Sequence, residues 1–342
     1  MEKLIALSKD EEERALEIYR QSIVVDCLQA SEFNSEYLDL LRKSGLTVVH
    51  KTIATNHRPC ETIKRISEFM KLISDNEELA LTIEKYADIE RAKRENKVGI
   101  VLGFQNVNPL EGNINLLYAY QKLGIKIIQL SYNERSPAAD GCAEPTNCGL
   151  SKFGVKLIEY MNKLKMIVDI SHVGDRSSLE AIELADHVIC SHANARKLCN
   201  NIRNKSDEVI KALAEKDGVI GVNAFPAFVK KTKMKLGEKP TINDLLDHID
   251  YIVNLVGVRH VGLGLDFIDN WPIEKHRELT TQPEIWGKPA PSGYYEYPIG
   301  IENASKVVNI ARGLVARGYS NDEIKLILGE NWLRIFRRVM QL

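Results

Sequence analysis

Short, nearly continuous apolar runs alternate along this chain with longer stretches whose apolar positions recur at helical spacing. The runs are SIVVDCL (22–28), LTVVHKTI (46–53), VGIVLGF (98–104), IKIIQLS (125–131), MIVDIS (166–171), HVICS (187–191), GVIGVN (218–223) and HVGLGLDF (260–267). Strands of a parallel sheet, covered on both faces, read in this way. Between them, NSEYLDLLRKSG (34–45) opens on a capping Asn and closes on Gly, and SDEVIKALAEKDG (206–218) does the same with Ser. TINDLLDHIDYIVNLVG (241–257) and SNDEIKLILGENWLRIFRRV (320–339) carry helical periodicity as well. Eight strand-then-helix units predict a (β/α)8 barrel. A doubly wound sheet is the alternative, but no GxGxxG turn follows the first run.

No Pro/Gly/Ser-rich linker interrupts the 342 residues, so the pattern predicts one barrel domain over 1–342. Two stretches, 137–149 and 268–300, read as long loops after the fourth and eighth runs. In a barrel both belong to the C-terminal face, where active sites sit. The second holds Trp271, Trp286, Tyr294, Tyr295 and Tyr297, and suits a substrate lid or a subunit contact.

Composition narrows the function classes. Basic and acidic residues number 46 and 47, for a net charge of −1, which gives no electrostatic case for nucleic acid or an acidic membrane. The longest apolar runs are far too short to span a bilayer, and the charged start MEKLIALSKDEEERALEIYRQ lacks the apolar core of a signal peptide. A cytoplasmic protein is expected. Six cysteines without a CxxC pair read as free thiols, not as a disulfide framework or a zinc ribbon.

Candidate chemistry collects where the runs end. The fifth ends with Asp169 and His172, the sixth with His192, the eighth with Asp266. Two imidazoles and a carboxylate at one barrel mouth form a metal and general-base set. A lone histidine after a strand is ordinarily a hydrogen-bonded structural residue; two successive runs ending in Ser-His argue for more. His50, within its run, and His57, in the loop after it, read as structural, and His187 as a surface residue.

MIVDISHVGD, ICSHANARKLCNNIRNKSDEVIKALAEKDGVIGVN and HVGLGLDF, with LSYNERSPAADGCAEPTNCGLSKFG and GENWLRIFRRV, together resemble the renal (membrane) dipeptidase family of zinc peptidases. The resemblance implies a (β/α)8 TIM barrel of the amidohydrolase type, a two-zinc site at the strand ends, cleavage of dipeptides and a homodimer. It carries over residue by residue only in part. Where the family's first strand ends in an Asp-Gly-His-Asn-Asp motif whose His and second Asp bind one zinc, this chain has Asp26, Cys27, Leu28, Gln29 and Ala30. The Glu that bridges the two metals is replaced by Gln105, and a substrate-contacting His by Tyr132. His172 and His192 match the ligands of the second zinc, Arg203 the arginine for the substrate carboxylate, and Asp266 the acid/base aspartate.

Leu28 and Ala30 cannot coordinate, so the first metal position is expected empty. Cys27 points away from Leu28 by strand alternation. One zinc or other divalent metal on His172, His192 and a weakly donating Gln105 remains open, with affinity lowered by the loss of anionic ligands. Three classes of function follow. The first is a hydrolase acting on a small amino-acid-derived, carboxylate-bearing amide, with Asp266 and Tyr132 as catalytic groups and Arg203 and Tyr132 as substrate contacts. The others are a lyase or isomerase on the same scaffold, and a metal-free pseudoenzyme that binds a small ligand or partner.

Overall fold

The computed structural model describes residues 4–230 and 238–340. Its strands are β1 (Val24–Gln29), β2 (Leu46–Ala54), β3 (Ala80–Thr82), β4 (Val98–Phe104), β5 (Ile125–Gln129), β6 (Ile167–Asp169), β7 (Val188–Ile189), β8 (Ile220–Val222) and β9 (Val261–Leu263). They run in the order β7-β6-β5-β4-β2-β1-β9-β8, with every pair parallel. The ring closes between β7 and β8, where the Cys190 N–H donates to Val219 O and the Gly221 N–H to Cys190 O, both at 2.9 Å. All eight anticipated strands are present in a (β/α)8 barrel. The ninth, β3, is a three-residue addition pairing Ala80–Thr82 with Val98–Ile100 of β4; so short a run carries no periodicity to detect.

The barrel is filled in layers. Val25, Val48, Val101, Ile127, Ile167, Ile189 and Val219, nearly one per strand, form an apolar floor with Trp332 and Phe336 of the last helix, Asn331–Val339. The Trp332 indole N–H donates to Leu263 O at 3.1 Å, so the floor buries no orphaned donor. Two residues beyond five of these, on the same inward face, stand His50, Gly103, Gln129, Asp169 and Ser191. Polar groups thus replace apolar ones toward the mouth. Gly103 makes room for His50, since a Cβ there would lie 2.2 Å from His50 Nε2. Gly264 does the same for the closing seam, where a Cβ would meet Ser191 O at 1.8 Å.

The helices begin where their caps place them. Asn34 Oδ1 accepts from the Tyr37 N–H, Ser206 Oγ from the Val209 N–H, and Thr241 forms a capping box with Asp244. The helix anticipated over 320–339 is interrupted by a π turn at Leu326–Glu330. Beyond it, Asn331 donates to Val258 O and Val261 O as Trp332 does to Leu263 O. Anchoring on those carbonyls fixes the shifted register.

The two long loops are more ordered than their composition suggests. Segment 137–149 is gathered on Asp140, whose carboxylate accepts from Arg135, Thr146 and the Cys148 N–H. Segment 268–300 contains two short helices, Ile273–Leu279 and Pro283–Trp286. Among the described residues no helix is long and apolar enough to cross a membrane.

Candidate active site

His172 and Asp266 both follow their strands in the left-handed region, at φ +61° and +58°, as does Asn133 at +61°. Side chains with a Cβ rarely adopt this conformation, and the surrounding packing must enforce it. At the mouth it turns the residue after a straight strand back over the barrel axis.

His172 and His192 meet there, with Nε2 atoms 2.9 Å apart. On the far side of each ring, His172 Nδ1 lies 2.6 Å from Asn133 Oδ1, and His192 Nδ1 lies 2.7 Å from Ser191 Oγ. The Ser191 hydroxyl donates to Asp169 Oδ2 at 2.5 Å, which leaves its oxygen to accept from His192. In this network both Nδ1 atoms carry hydrogen and both Nε2 atoms are bare lone pairs. Two lone pairs 2.9 Å apart repel unless a proton or a cation lies between them. Burial first, then Arg203, pushes both imidazoles well below their usual pKa, which disfavours a shared proton. Two nitrogens at about 2.0–2.1 Å from one cation span roughly 2.9–3.4 Å, so the pair fits a single metal. Gln105 Nε2 lies 3.2 Å from His192 Nε2, and turning that amide over would offer its oxygen instead.

Leu28 is fully buried, and Ala30 lies in the cavity wall with nothing to donate. Cys27 is buried with the apolar floor, and burial pushes its thiol well above the usual value. Among the described residues no three His, Cys, Asp or Glu side chains come together as a metal-binding group.

Arg203 is 1% exposed. Its Nη2 donates to His192 O at 2.7 Å and its plane lies 5.5 Å over the Phe228 ring, yet Nε and Nη1 have no hydrogen-bond partner among the described residues. A buried guanidinium with two idle donors is costly unless an anion completes it. Asp266 Oδ2 accepts from Asn223 Nδ2 at 3.0 Å. Burial pushes its carboxyl up to about 7, partly offset by Arg203 and Asn223. A carboxyl poised there can take or give a proton near neutral pH. Tyr132 stacks on His172 with ring centroids 4.2 Å apart, and burial raises its phenol above the usual value.

A cavity of about 490 Å³ opens onto Gln105, Tyr132 and Asp266. Trp286, from segment 268–300, forms part of its wall and lies 6.3 Å from the Tyr132 ring and 6.2 Å from that of His172. The two histidines and Arg203 are fully enclosed behind these rings. All six anticipated site residues therefore converge: Gln105, Tyr132 and Asp266 face the cavity, while His172, His192 and Arg203 lie beneath it. His50 Nδ1 lies 2.9 Å from Cys27 O, while its buried Nε2 has no hydrogen-bond partner among the described residues. His57, read as structural, lines the cavity, and His187 is half-buried where a surface residue was expected. Sequence reasoning passed over Asn133, Asn223 and Lys51. Only Lys51 carried a signal, as a charge within a run otherwise covered on both faces.

The sequence of residues 46–281 matches the family described as Membrane dipeptidase (Peptidase family M19), about two thirds of the chain. The chain belongs to this family. The match begins at β2, after Leu28 and Ala30. Dipeptidase tcpJ of Claviceps purpurea is 27% identical over 295 residues, 85% of this chain and 61% of that protein. An uncharacterized dipeptidase of Schizosaccharomyces pombe is 29% identical over 285 residues, 81% and 62% of the two chains. The chain thus spans about three fifths of the length of these relatives. A crystal structure of an amidohydrolase from Pseudomonas aeruginosa superposes with a TM-score of 0.87 at 33% identity, covering 95% of this chain and 99% of that one. A metallopeptidase from Rhodobacter sphaeroides shares the fold, with a TM-score of 0.77 at 15% identity over 93% and 100% of the chains.

Proposed function

We propose that this protein is a divergent hydrolase of the family, acting on a small amino-acid-derived amide with a free carboxylate and holding at most one divalent metal. The observation that carries the reading is Arg203: a fully enclosed guanidinium with two unpartnered nitrogens, beside the histidine pair and Asp266. A substrate carboxylate supplies the missing acceptors in bidentate form. A cavity of about 490 Å³ suits a molecule of dipeptide size.

His172 and His192 would hold the metal, zinc or another divalent ion, with Gln105 contributing a neutral oxygen; when bound it supplies Lewis-acid polarisation of the scissile carbonyl. The chain's own groups do the rest. Arg203 fixes the carboxylate end, and Tyr132 with Trp286 provides an aromatic wall that excludes water from the amide. Asp266, with its carboxyl raised to about 7, takes a proton from the attacking water and delivers it to the leaving amine. A homodimer in the cytoplasm, expected from resemblance and composition, is part of the same proposal.

The test measures amine release from a panel of dipeptides and N-acyl amino acids, with metal content determined by mass spectrometry on protein purified without chelator. The expected result is about one metal per chain, lost in the His172→Ala/His192→Ala double variant, and turnover abolished by Arg203→Gln with the fold intact. Turnover that survives chelation would move the assignment to a metal-free lyase or isomerase. Substrate affinity unchanged by Arg203→Gln would remove the substrate class.

A further inference from the structure

Lys51 sits near the C-terminal end of β2 with only 6% of its surface exposed. A lysine so placed ordinarily faces a carboxylate. Here the ammonium donates to a backbone carbonyl, Ser31 O, at 2.6 Å, and lies 4.8 Å over the Phe33 ring. No ion pair to it is formed among the described residues. The charges that act on it are Glu32, Arg65 and Lys275, and Glu32 is already paired with Lys275. Arg65, on the helix Pro59–Asp75, uses its Nε to hold Ile53 O at 2.6 Å, leaving its terminal nitrogens without a hydrogen-bond partner among the described residues. Lys51 and Arg65 line the same cavity as Gln105, Tyr132 and Asp266. Its other acids are Glu32, after β1, and Glu134 and Glu278, from the segments after β5 and β9.

Two cations with idle donors, one of them buried, thus flank the β1–β2 side of the cavity, where the neighbouring acid, Glu32, feels both but is already paired with Lys275. We propose that this side is a second anion-binding subsite, in which Lys51 and Arg65 take a carboxylate of the substrate other than the one assigned to Arg203. The substrate is then doubly acidic. The inference rests on the proposed function for the Arg203 end alone; the Lys51 end stands on its own geometry. Burial first, then the Arg65 and Lys275 cations, pushes the Lys51 amine down to about 7 against the opposing pull of Glu32, as expected of a cation awaiting its counter-anion. Cavity walls of Ile53, Trp271 and Leu279 exclude water and strengthen the charge pairing.

The experiment compares L-glutamyl-L-alanine with its neutral isostere L-glutaminyl-L-alanine by calorimetric titration of the full protein as purified. Wild type is expected to bind the acidic probe about tenfold or more tightly, one good charge-assisted contact. Lys51→Met and Arg65→Gln each remove most of that preference. Arg65 is half-exposed, so its variant keeps the test valid if Lys51→Met melts early. Arg203→Gln weakens both probes alike and preserves their ratio. Equal affinities in wild type, no binding of either probe, or a preference untouched in both variants overturns the subsite. A persistent preference for the acidic probe, with Arg203→Gln leaving both affinities unchanged, keeps the subsite and overturns the Arg203 reading instead.

Discussion

Replacing Asp266 with Asn removes a buried charge while keeping the shape of the side chain and its contact with Asn223. The carboxyl has an ordinary value of 3.8 and is pushed up to about 7 by burial. A shift of about 3 units corresponds to about 4 kcal/mol, at about 1.4 kcal/mol per unit. The sign follows from the direction. An acid raised in the folded state contributes its stability below the unfolded value and loses it as pH climbs through the folded value. Above about pH 7 the wild type bears the whole cost of the buried carboxylate, and the variant bears none. Of the 4 kcal/mol, about 3 falls between about pH 5 and pH 8.

The assay is urea unfolding of both proteins, stripped of divalent metal, at those two pH values. The stability advantage of Asp266→Asn is expected to widen by up to about 3 kcal/mol on going to pH 8, while turnover of the metal-loaded variant is lost. Asp26, also buried and pushed up to about 7, is raised in part by the Asp266 charge, so the variant relieves it too and the advantage widens in the same direction. An advantage that does not change with pH would mean that Asp266 is ionised throughout. It would then not be the group that takes a proton near neutrality, and the acid–base role would fall with it.

Three other outcomes follow from the same geometry. Trp332→Ala, which empties the apolar floor and leaves Leu263 O without its donor, should cost about 3–5 kcal/mol in urea unfolding with little change in metal content. Gln105→Glu places an anionic oxygen beside His192 and should tighten zinc binding by about tenfold or more in competition with a chromogenic chelator. Trp286→Ala opens the wall over His172 and should speed modification of the histidines by diethyl pyrocarbonate, read as carbethoxylated His172 or His192 by mass spectrometry; an unchanged rate would show that the ring does not guard them.

Much of the barrel could be read from the chain because its signals are local. Nearly continuous apolar runs mark strands covered on both faces, and Asn34, Ser206 and Thr241 mark helix starts by chemistry that needs only neighbouring residues. The histidine pair was legible because both residues follow strand ends that register brings side by side, Asp169 opposite Ile189. What stayed hidden depends on distant partners. Asn133 and Asn223 look like any loop or strand-end asparagine until the fold sets them against His172 and Asp266. Trp286 was marked only as part of an aromatic loop, since the ring it would face depends on how that segment folds back. The π turn at Leu326–Glu330 leaves the apolar periodicity nearly intact, so nothing in the pattern announces it.

The positions where the resemblance places the first-metal and bridging ligands lie on one side of the mouth and share one electrostatic direction, apart from Tyr132, which stacks on His172. Leu28 on β1, Ala30 just after it and Gln105 after β4 stand where the resemblance places an imidazole and two carboxylates, which would remove two negative charges. Arg203 and the buried Lys205 remain on the other side, and Lys51 and Arg65 flank the vacated one. On the proposed reading, cations without those anionic ligands would repel a second divalent ion unless an anion came with the ligand. The same imbalance suits a ligand that brings its own negative charge. Arg203 can neutralise one carboxylate, and Lys51 with Arg65 a second, at the side where a metal would otherwise have supplied positive charge. In this reading the lost ligands and the unpaired lysine are one change: positive charge beside β1 is held by the protein instead of by an ion.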